Sequence, residues 1–433
     1  MLKEKNDVKK IQKQIMSKDN CNHLFGTHNG TPVGVSLDYE TANRNLNTLV
    51  LSGGYYKSWS NYTRPNLLAE HSSSVIVNSI TPDFISEIKS KGINVQEINF
   101  TFGHEERSTS HYNPFIVQHR PSGVKKEQAQ CERALYLAKT VNTLFNDKFN
   151  EVLWNTDNIE RFKNICYELI RFIFLYVGVS SNLSDSERNF SAIQTIINDM
   201  RDNGKDVLAK YDVSDVGDFT ECHKHILERC EDKIFRTAAD ILLVVLLPLY
   251  SCDTFKEDPD NPKANISAGS FVNELTYVFI PAPLTSDGIS DKLAALFIQM
   301  FIKELYDYGN SDWKRPHHAL ENSVHFYLQH LNEYYIPDLP FIMATCGQYG
   351  IGISVISDIY ALKRLYNTDD LIANTDTIML LYARTPWDIE FIQKFMPDLT
   401  EDDICMLNDK DKTIVCIRGY APVICDTLKT ERK

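Results

Sequence analysis

The residues of this chain whose order comes nearest to nucleotide chemistry are Ser52-Gly53-Gly54-Tyr55-Tyr56-Lys57-Ser58-Trp59, entered from a β-like run, Leu46 to Leu51. A turn between a strand and a helix is where a phosphate-binding loop sits, and such a loop reads G-x-x-x-x-G-K-[ST]. Its glycines let successive backbone N–H groups close around phosphate, while the lysine and the hydroxyl serve the β/γ-phosphates and Mg²⁺. This turn fails the pattern. Hydrolysis by it is not expected.

Other residue sets can be weighed for chemistry. Cys222-His223-x-His225 with Cys230 has metal-capable side chains, some at helical i, i+3 spacing, but the spacing matches no standard zinc module. His317-His318 follows Lys314-Arg315-Pro316 in a loop-like stretch and needs no function. His325 and His330 flank an apolar strand, where a hydrogen-bonded structural histidine is the expected reading.

The elements that must position such residues come from a chain of 433 residues, 43% apolar and 24% charged, enough for two or three domains and a large core. Ten cysteines without a C-x-x-C or a secreted-type spacing point to a reducing cytoplasm. No apolar signal segment opens the sequence, and the longest apolar run, Ile241 to Leu249, is far short of the ~20 residues a membrane helix needs. That run reads as a buried helix end broken at Pro248. Residues 1–20 carry Lys3, Lys5, Lys9, Lys10, Lys13 and Lys18, either a frayed, solvated helix or a segment that lies on an anionic membrane or a partner. A net charge of −13 argues against general nucleic-acid binding, which depends on Lys and Arg neutralising phosphate.

Short β-branched runs at Leu46–Leu51, Ser74–Val77, Asn94–Phe100, Leu275–Ile280, Val324–Leu328, Ile351–Ile356, Thr377–Tyr382 and Thr413–Arg418 alternate with helical stretches. Such alternation predicts an α/β fold with a mainly parallel sheet covered by helices. From 125 to 250 the period changes to that of helices, as in Ile165, Leu169, Phe172 and Tyr176, and predicts an inserted all-α domain. The Pro/Asp/Asn-rich stretch 251–270 reads as a linker back to the sheet. The expected division is therefore a basic segment 1–20, a discontinuous domain of 21–124 and 251–433, and the insertion 125–250.

Several local sequences, in order, resemble those of the type IV coupling proteins of conjugation, hexameric P-loop ATPases that pass the relaxosome and single-stranded DNA to a secretion channel. Arg64-Pro65-Asn66-Leu67-Leu68 follows the turn, Tyr112-Asn113-Pro114-Phe115 precedes the helical segment, and Trp154 falls where that segment of the family often has tryptophan. Further on come Ile336-Pro337-Asp338-Leu339, Ala344-Thr345, Gly350-Ile351, Leu362 to Tyr366, and Asn374-Thr375-Asp376-Thr377. Thr413 to Pro422 resembles the final strand and its Arg-Gly-x-x-Pro turn. The resemblance runs from roughly 45 to 425 and implies a RecA-like P-loop NTPase fold.

Departures gather where that family handles nucleotide. Counting back from Pro65-Asn66 places Ser52 and Lys57 at the outer glycines, Ser58 at the lysine and Trp59 at the Mg²⁺ hydroxyl. Shifting by one to rescue Lys57-Ser58 leaves Tyr56 where a glycine is required. After Val324–Leu328 the family has Asp-Glu; this chain has Gln329-His330, with Glu333 beyond the strand end. Asn78-Ser79-Ile80-Thr81 replaces Asp-Pro-Lys-Gly, and Ser357 or Asp358 replaces a strand-end glutamine. Tyr55, Tyr56, Tyr62, Tyr334, Tyr335, Tyr349 and Tyr360 lie near the family's nucleotide and subunit contacts, and are read either as filling the vacated nucleotide space and welding an interface that ATP bridges in the family, or as scattered core aromatics.

The resulting expectation is a pseudo-ATPase homologue, with ATP and Mg²⁺ not bound tightly, no metal and no catalytic residue. It is expected in the cytoplasm or peripherally at the inner membrane face, without a membrane span. Its expected partners are a type IV secretion coupling protein, the relaxosome or the channel ATPase, in a homo- or hetero-oligomer, with single-stranded DNA a secondary contact. The alternatives are a divergent active ATPase that moves DNA, and an inhibitor of a competing coupling hexamer.

Overall fold

The computed structural model describes residues 23–36, 45–69, 73–101, 108–154, 159–211, 221–281, 288–312, 320–329, 335–383, 385–408 and 411–428. The basic segment 1–20, His317, His318, His330, Glu333 and Tyr334 lie outside them.

The strands are β1 (His23–His28), β2 (Thr31–Val35), β3 (Thr48–Leu51), β4 (Ser74–Ile80), β5 (Asn94–Glu97), β6 (Thr276–Pro281), β7 (Val324–Leu328), β8 (Ile351–Ser357), β9 (Thr377–Leu380), β10 (Lys412–Ile417) and β11 (Val423–Asp426). Among the described residues they form one eleven-stranded sheet in the order β2-β1-β11-β10-β9-β3-β8-β7-β4-β6-β5. From β9 to β5 every pairing is parallel, and from β9 to β2 every pairing is antiparallel. Every residue of β3, β7 and β8 is buried. Such strands are covered on both faces, so they show apolar runs rather than alternation. In β3, Leu49 and Leu51 join one core with helices Ile289–Gly309, Ile359–Leu365 and Pro386–Phe395. Val50 joins the other with helix Pro82–Lys89, the helical run 55–69 and Phe25 of β1.

All eight expected strands lie in this sheet, Val324–Leu328 with the expected ends and the others with shifted ones. The run expected to reach Phe100 leaves the sheet after Glu97, where Asn99 turns the chain by accepting from the Thr101 N–H at 2.9 Å. β9 stops at Leu380, short of Tyr382. Three strands, β1, β2 and β11, were not expected. The first two form a hairpin around Asn29-Gly30, whose φ angles of 50° and 77° are those a tight two-residue turn demands.

Between 126 and 250 the described residues are helical or in turns, including Lys126–Leu144, Ile159–Val179, Phe190–Asn203 and Asp232–Val245. The Asp232–Val245 helix ends ahead of Pro248, which opens the short helix Leu247–Tyr250. Leu137, Phe172 and Leu242 of this segment share one continuous core with Leu49 and Ile76 of the sheet. The return stretch is more than a linker: it includes helix Ala268–Asn273, and His111 N–H donates to Ala264 O at 2.8 Å while Tyr112 N–H donates to Thr254 O at 2.9 Å.

A buried ion pair closes this junction. Arg133 and Glu304, with side chains 2% and 3% exposed, meet at 3.2 Å. The Arg133 guanidinium also donates to Tyr112 Oη at 2.8 Å and to Pro114 O at 2.7 Å. Glu304 accepts from the Tyr112 hydroxyl at 3.1 Å and from Ala268 N–H at 2.9 Å. One pair thus ties the Tyr-Asn-Pro-Phe segment, the first long helix and the return from the helical segment. Removing one partner of a buried, hydrogen-bonded ion pair costs about 3–5 kcal/mol, because the other charge is stranded. Glu304→Met is therefore expected to lower unfolding stability by about that much, and Arg133→Met/Glu304→Met by less, as read from urea denaturation.

Candidate functional site

In α/β sheets ligands bind outside the carboxyl ends of the strands. At that edge the chain brings together the turn 52–59 after β3, Asn78 in β4, Gln329 after β7, Ser357 and Asp358 at the end of β8, and Tyr382 after β9.

The turn is short. Only Ser52, Gly53 and Gly54 separate β3 from helix Tyr55–Ser58. A G-x-x-x-x-G wrap needs more backbone than that to surround a phosphate. Ser52 N–H donates to Ser357 O at 3.0 Å, and the Ser52 hydroxyl donates to Gly54 O at 3.0 Å. The Ser58 hydroxyl, buried, donates back to Gly54 O at 3.4 Å. Gly53 is required by a close approach: a Cβ there would lie 2.0 Å from the Tyr382 ring. Lys57 Nζ donates to Leu407 O at 2.9 Å and sits 5.8 Å from the centre of the same Tyr382 ring. The cation nearest the loop is thus engaged by a carbonyl and an aromatic ring of its own chain. Trp59 opens a π-helical turn, Trp59–Thr63, and packs edge-on against Phe84 at 4.9 Å.

Asn78 and Gln329, each at a position where the family resemblance implies an acid, meet in the structure. Gln329 N–H donates to Asn78 Oδ1 at 2.6 Å, Asn78 Nδ2 donates to Gln329 O at 2.8 Å, and Gln329 Nε2 donates to Asn78 O at 2.9 Å. Both residues are buried. The tie uses two side-chain N–H donors that carboxylates lack. Asp358 accepts from Ala361 N–H at 2.7 Å as the N-cap of helix Ile359–Leu365.

The remaining expected residues divide. His223 bonds Glu168, and this bond holds the Glu168 carboxyl below its ordinary range. No cluster of three or more metal-capable His, Cys, Asp or Glu residues occurs among the described residues. Tyr62 and Tyr349 are core residues, Tyr335 stacks on Tyr366, and Tyr56 and Tyr360 are more than 60% exposed. Trp154 is 73% exposed, so its side chain is not part of the core.

The C-terminal motifs that carry the resemblance cluster at the opposite, amino edge. Asn47, just ahead of β3, donates to Met343 O at 2.6 Å and Asn374 O at 3.0 Å and accepts from Ile353 N–H at 3.1 Å. Arg418 pairs with Asp376 at 3.3 Å, and its guanidinium donates to Thr375 O at 2.9 Å. The Tyr366 hydroxyl accepts from Ile336 N–H at 2.7 Å. Asn66 acts differently: it mimics a strand edge, accepting from Leu24 N–H at 2.6 Å and donating to Leu24 O at 2.8 Å. Sequence reasoning missed Tyr382, Leu407 and Asn47, because each acts through a contact remote in the chain.

No family model matches this chain, and no curated protein matches it in sequence. Solved structures do. The unbound bacterial conjugative coupling protein TrwBΔN70 superposes with a TM-score of 0.59 at 11% identity, covering 98% of this chain and 93% of that one. The fold is that of the conjugative coupling proteins. TrwB in complex with ADP and Mg²⁺ gives 0.59 at 12% identity, over 98% and 93%. VirB4 of Thermoanaerobacter pseudethanolicus gives 0.53 at 14% identity, over 95% and 98%. The sheet with its helical covering is the P-loop NTPase fold these structures share.

Gln329→Glu replaces a donor with a buried charge beside Asn78 O. It is expected to destabilise the chain by about 1–3 kcal/mol in denaturant titrations, since it leaves buried polar groups mismatched. ATP turnover is not expected to appear in that variant.

Proposed function

We propose that this protein is a non-catalytic relative of the conjugative coupling proteins, a pseudo-ATPase that works by protein contacts in type IV secretion or conjugative DNA transfer. The observation that carries the reading is the division of the sheet. The amino edge keeps the hydrogen-bonded frame of the resembling motifs, whereas at the carboxyl edge amides stand for acids and Lys57 is held by Leu407 and Tyr382. Phosphoryl transfer relies on a phosphate cradle and on metal-holding carboxylates that stabilise charge in the transition state. Neither set is present at the positions that would supply it. The partner class we propose is a coupling ATPase, the relaxosome or the channel ATPase, with any DNA contact secondary in view of the −13 charge. No helix among the described residues is long and apolar enough to cross a membrane, so we propose that recruitment to such a complex proceeds through those proteins.

Calorimetric titration with ATP and Mg²⁺ is expected to be flat, for the wild type and for Lys57→Ala alike. Micromolar binding with turnover above that of Lys57→Ala would establish the divergent-ATPase alternative instead. For the role, a tagged copy expressed with the transfer machinery is expected to recover a coupling protein, relaxase or channel ATPase. Recovery of none of these, together with salt-sensitive binding of single-stranded DNA by the isolated chain, would assign it to DNA handling.

A further inference from the structure

The sequence holds two Asn-Gly steps, Asn29-Gly30 and Asn203-Gly204. Such a step is chemically special: glycine has no Cβ to shield its own nitrogen, so that nitrogen can close on the side-chain amide carbon of the asparagine before it. The backbone must rotate at the asparagine for the two atoms to meet. The fold decides which step has that freedom.

Asn203-Gly204 is locked. Asn203 is the last residue of helix Phe190–Asn203, its Nδ2 donates to Asp199 Oδ1 at 2.7 Å, and the Gly204 N–H donates to Met200 O. Gly204 is buried, and a Cβ there would lie 2.6 Å from a guanidinium nitrogen of Arg236 and closer still to Asp232. Lys205 N–H donates to Asp232 Oδ1 at 3.0 Å. Freeing the Gly204 nitrogen means unwinding the end of a packed helix.

Asn29-Gly30 is open. Both residues are exposed at the tip of the β1–β2 hairpin, with φ angles of 50° and 77°, and a Cβ at Gly30 would meet nothing within 4 Å. Among the described residues no hydrogen bond engages the Asn29 amide. The hairpin is lightly fastened as well: β2 ends the sheet, and β1 meets β11 at a single residue pair, Thr27 with Asp426. Exposed turns of this kind open locally at little cost, whereas packed helices open at a cost nearer that of global unfolding.

We propose that Asn29 is a self-modification site whose isoaspartate product loosens the β1–β2 hairpin. The Gly30 nitrogen gives up its proton and bonds to Asn29 Cγ, the Cγ–Nδ2 bond breaks, and ammonia leaves carrying that proton. Water then opens the succinimide ring at one of its two carbonyls. One opening yields aspartate, the other isoaspartate, and nothing is oxidised or reduced. Isoaspartate runs the chain through its side-chain carbon, so the turn gains one backbone methylene, about 1.5 Å. A two-residue turn sets the strand register, here His28 opposite Thr31 and Thr27 opposite Pro32, and an added backbone atom breaks that match. Aspartate keeps the backbone length and tolerates the left-handed conformation, so it leaves the hairpin paired.

The test incubates the full chain at neutral pH and 37 °C, natively and in urea, and follows both steps by peptide mass mapping with isoaspartate identification. In urea the two are expected to convert at similar rates. Folding is expected to slow Asn29 by less than about tenfold and Asn203 by more than about a hundredfold, in line with their opening costs. The isoaspartate form, separated by its added charge, should lose at least about tenfold in hydrogen-exchange protection over 23–35 while β3 and β8 keep theirs. Asn29→Gly, a Gly-Gly turn with no amide to lose, should keep the hairpin and release no ammonia from it; Asn29→Asp should match the wild type in protection. Native conversion of Asn203 as fast as Asn29, or slowing of Asn29 by a hundredfold, would overturn the site. Full hairpin protection in the isoaspartate form, or equal loss in Asn29→Asp, would overturn its effect.

Discussion

Arg133 and Glu304 hold opposite charges out of water where three parts of the chain meet, and this is tolerated because the guanidinium Nε and Nη2 and both carboxylate oxygens are bonded within the protein. Tyr112 serves both partners, Pro114 O serves the guanidinium and Ala268 N–H serves the carboxylate. Burial pushes the Tyr112 hydroxyl well above its ordinary range, so it stays a neutral bridge. The helical segment has its apolar stripe continuous with the sheet core, and this pair sets where the continuity is made. An apolar contact could bury as much area; the directional bonds select one arrangement of the junction.

The sheet has two edges with different tasks. At the amino edge Asn47, Asn374, Asp376, Arg418 and Tyr366 close backbone groups that the strand starts leave open, and the result is a rigid frame. At the carboxyl edge the same kind of bonding occurs where other proteins of this fold class would leave donors for a ligand. Gly53 receives the Tyr382 ring, Lys57 reaches Leu407 O, and Asn78 and Gln329 bond each other. These groups are engaged within the chain. That engagement supports the proposed reading of the protein as a scaffold that makes contacts.

Much of the fold was legible in the sequence. β3, β7 and β8 are buried on both faces, and such strands must be short, apolar and β-branched, so Thr48–Leu51, Val324–Leu328 and Ile351–Ser357 announce themselves. The hairpin was equally legible in principle, through Asn29-Gly30, but Gly26, Pro32 and Gly34 dilute its pattern. β11 is four residues long and pairs at the antiparallel side, too brief for a periodic signal.

For the candidate site, the sequence by itself determined which side chains are absent: the turn has no glycine cradle, and Gln329 cannot offer an anionic oxygen. Those are properties of residue type, independent of where the chain goes. Only the tertiary structure decided what stands in their place. Tyr382 is more than three hundred residues from Gly53, Leu407 is 350 from Lys57, and Gln329 is 251 from Asn78. Contacts of that range depend on strand order and on the direction each strand end faces, and no local propensity records either.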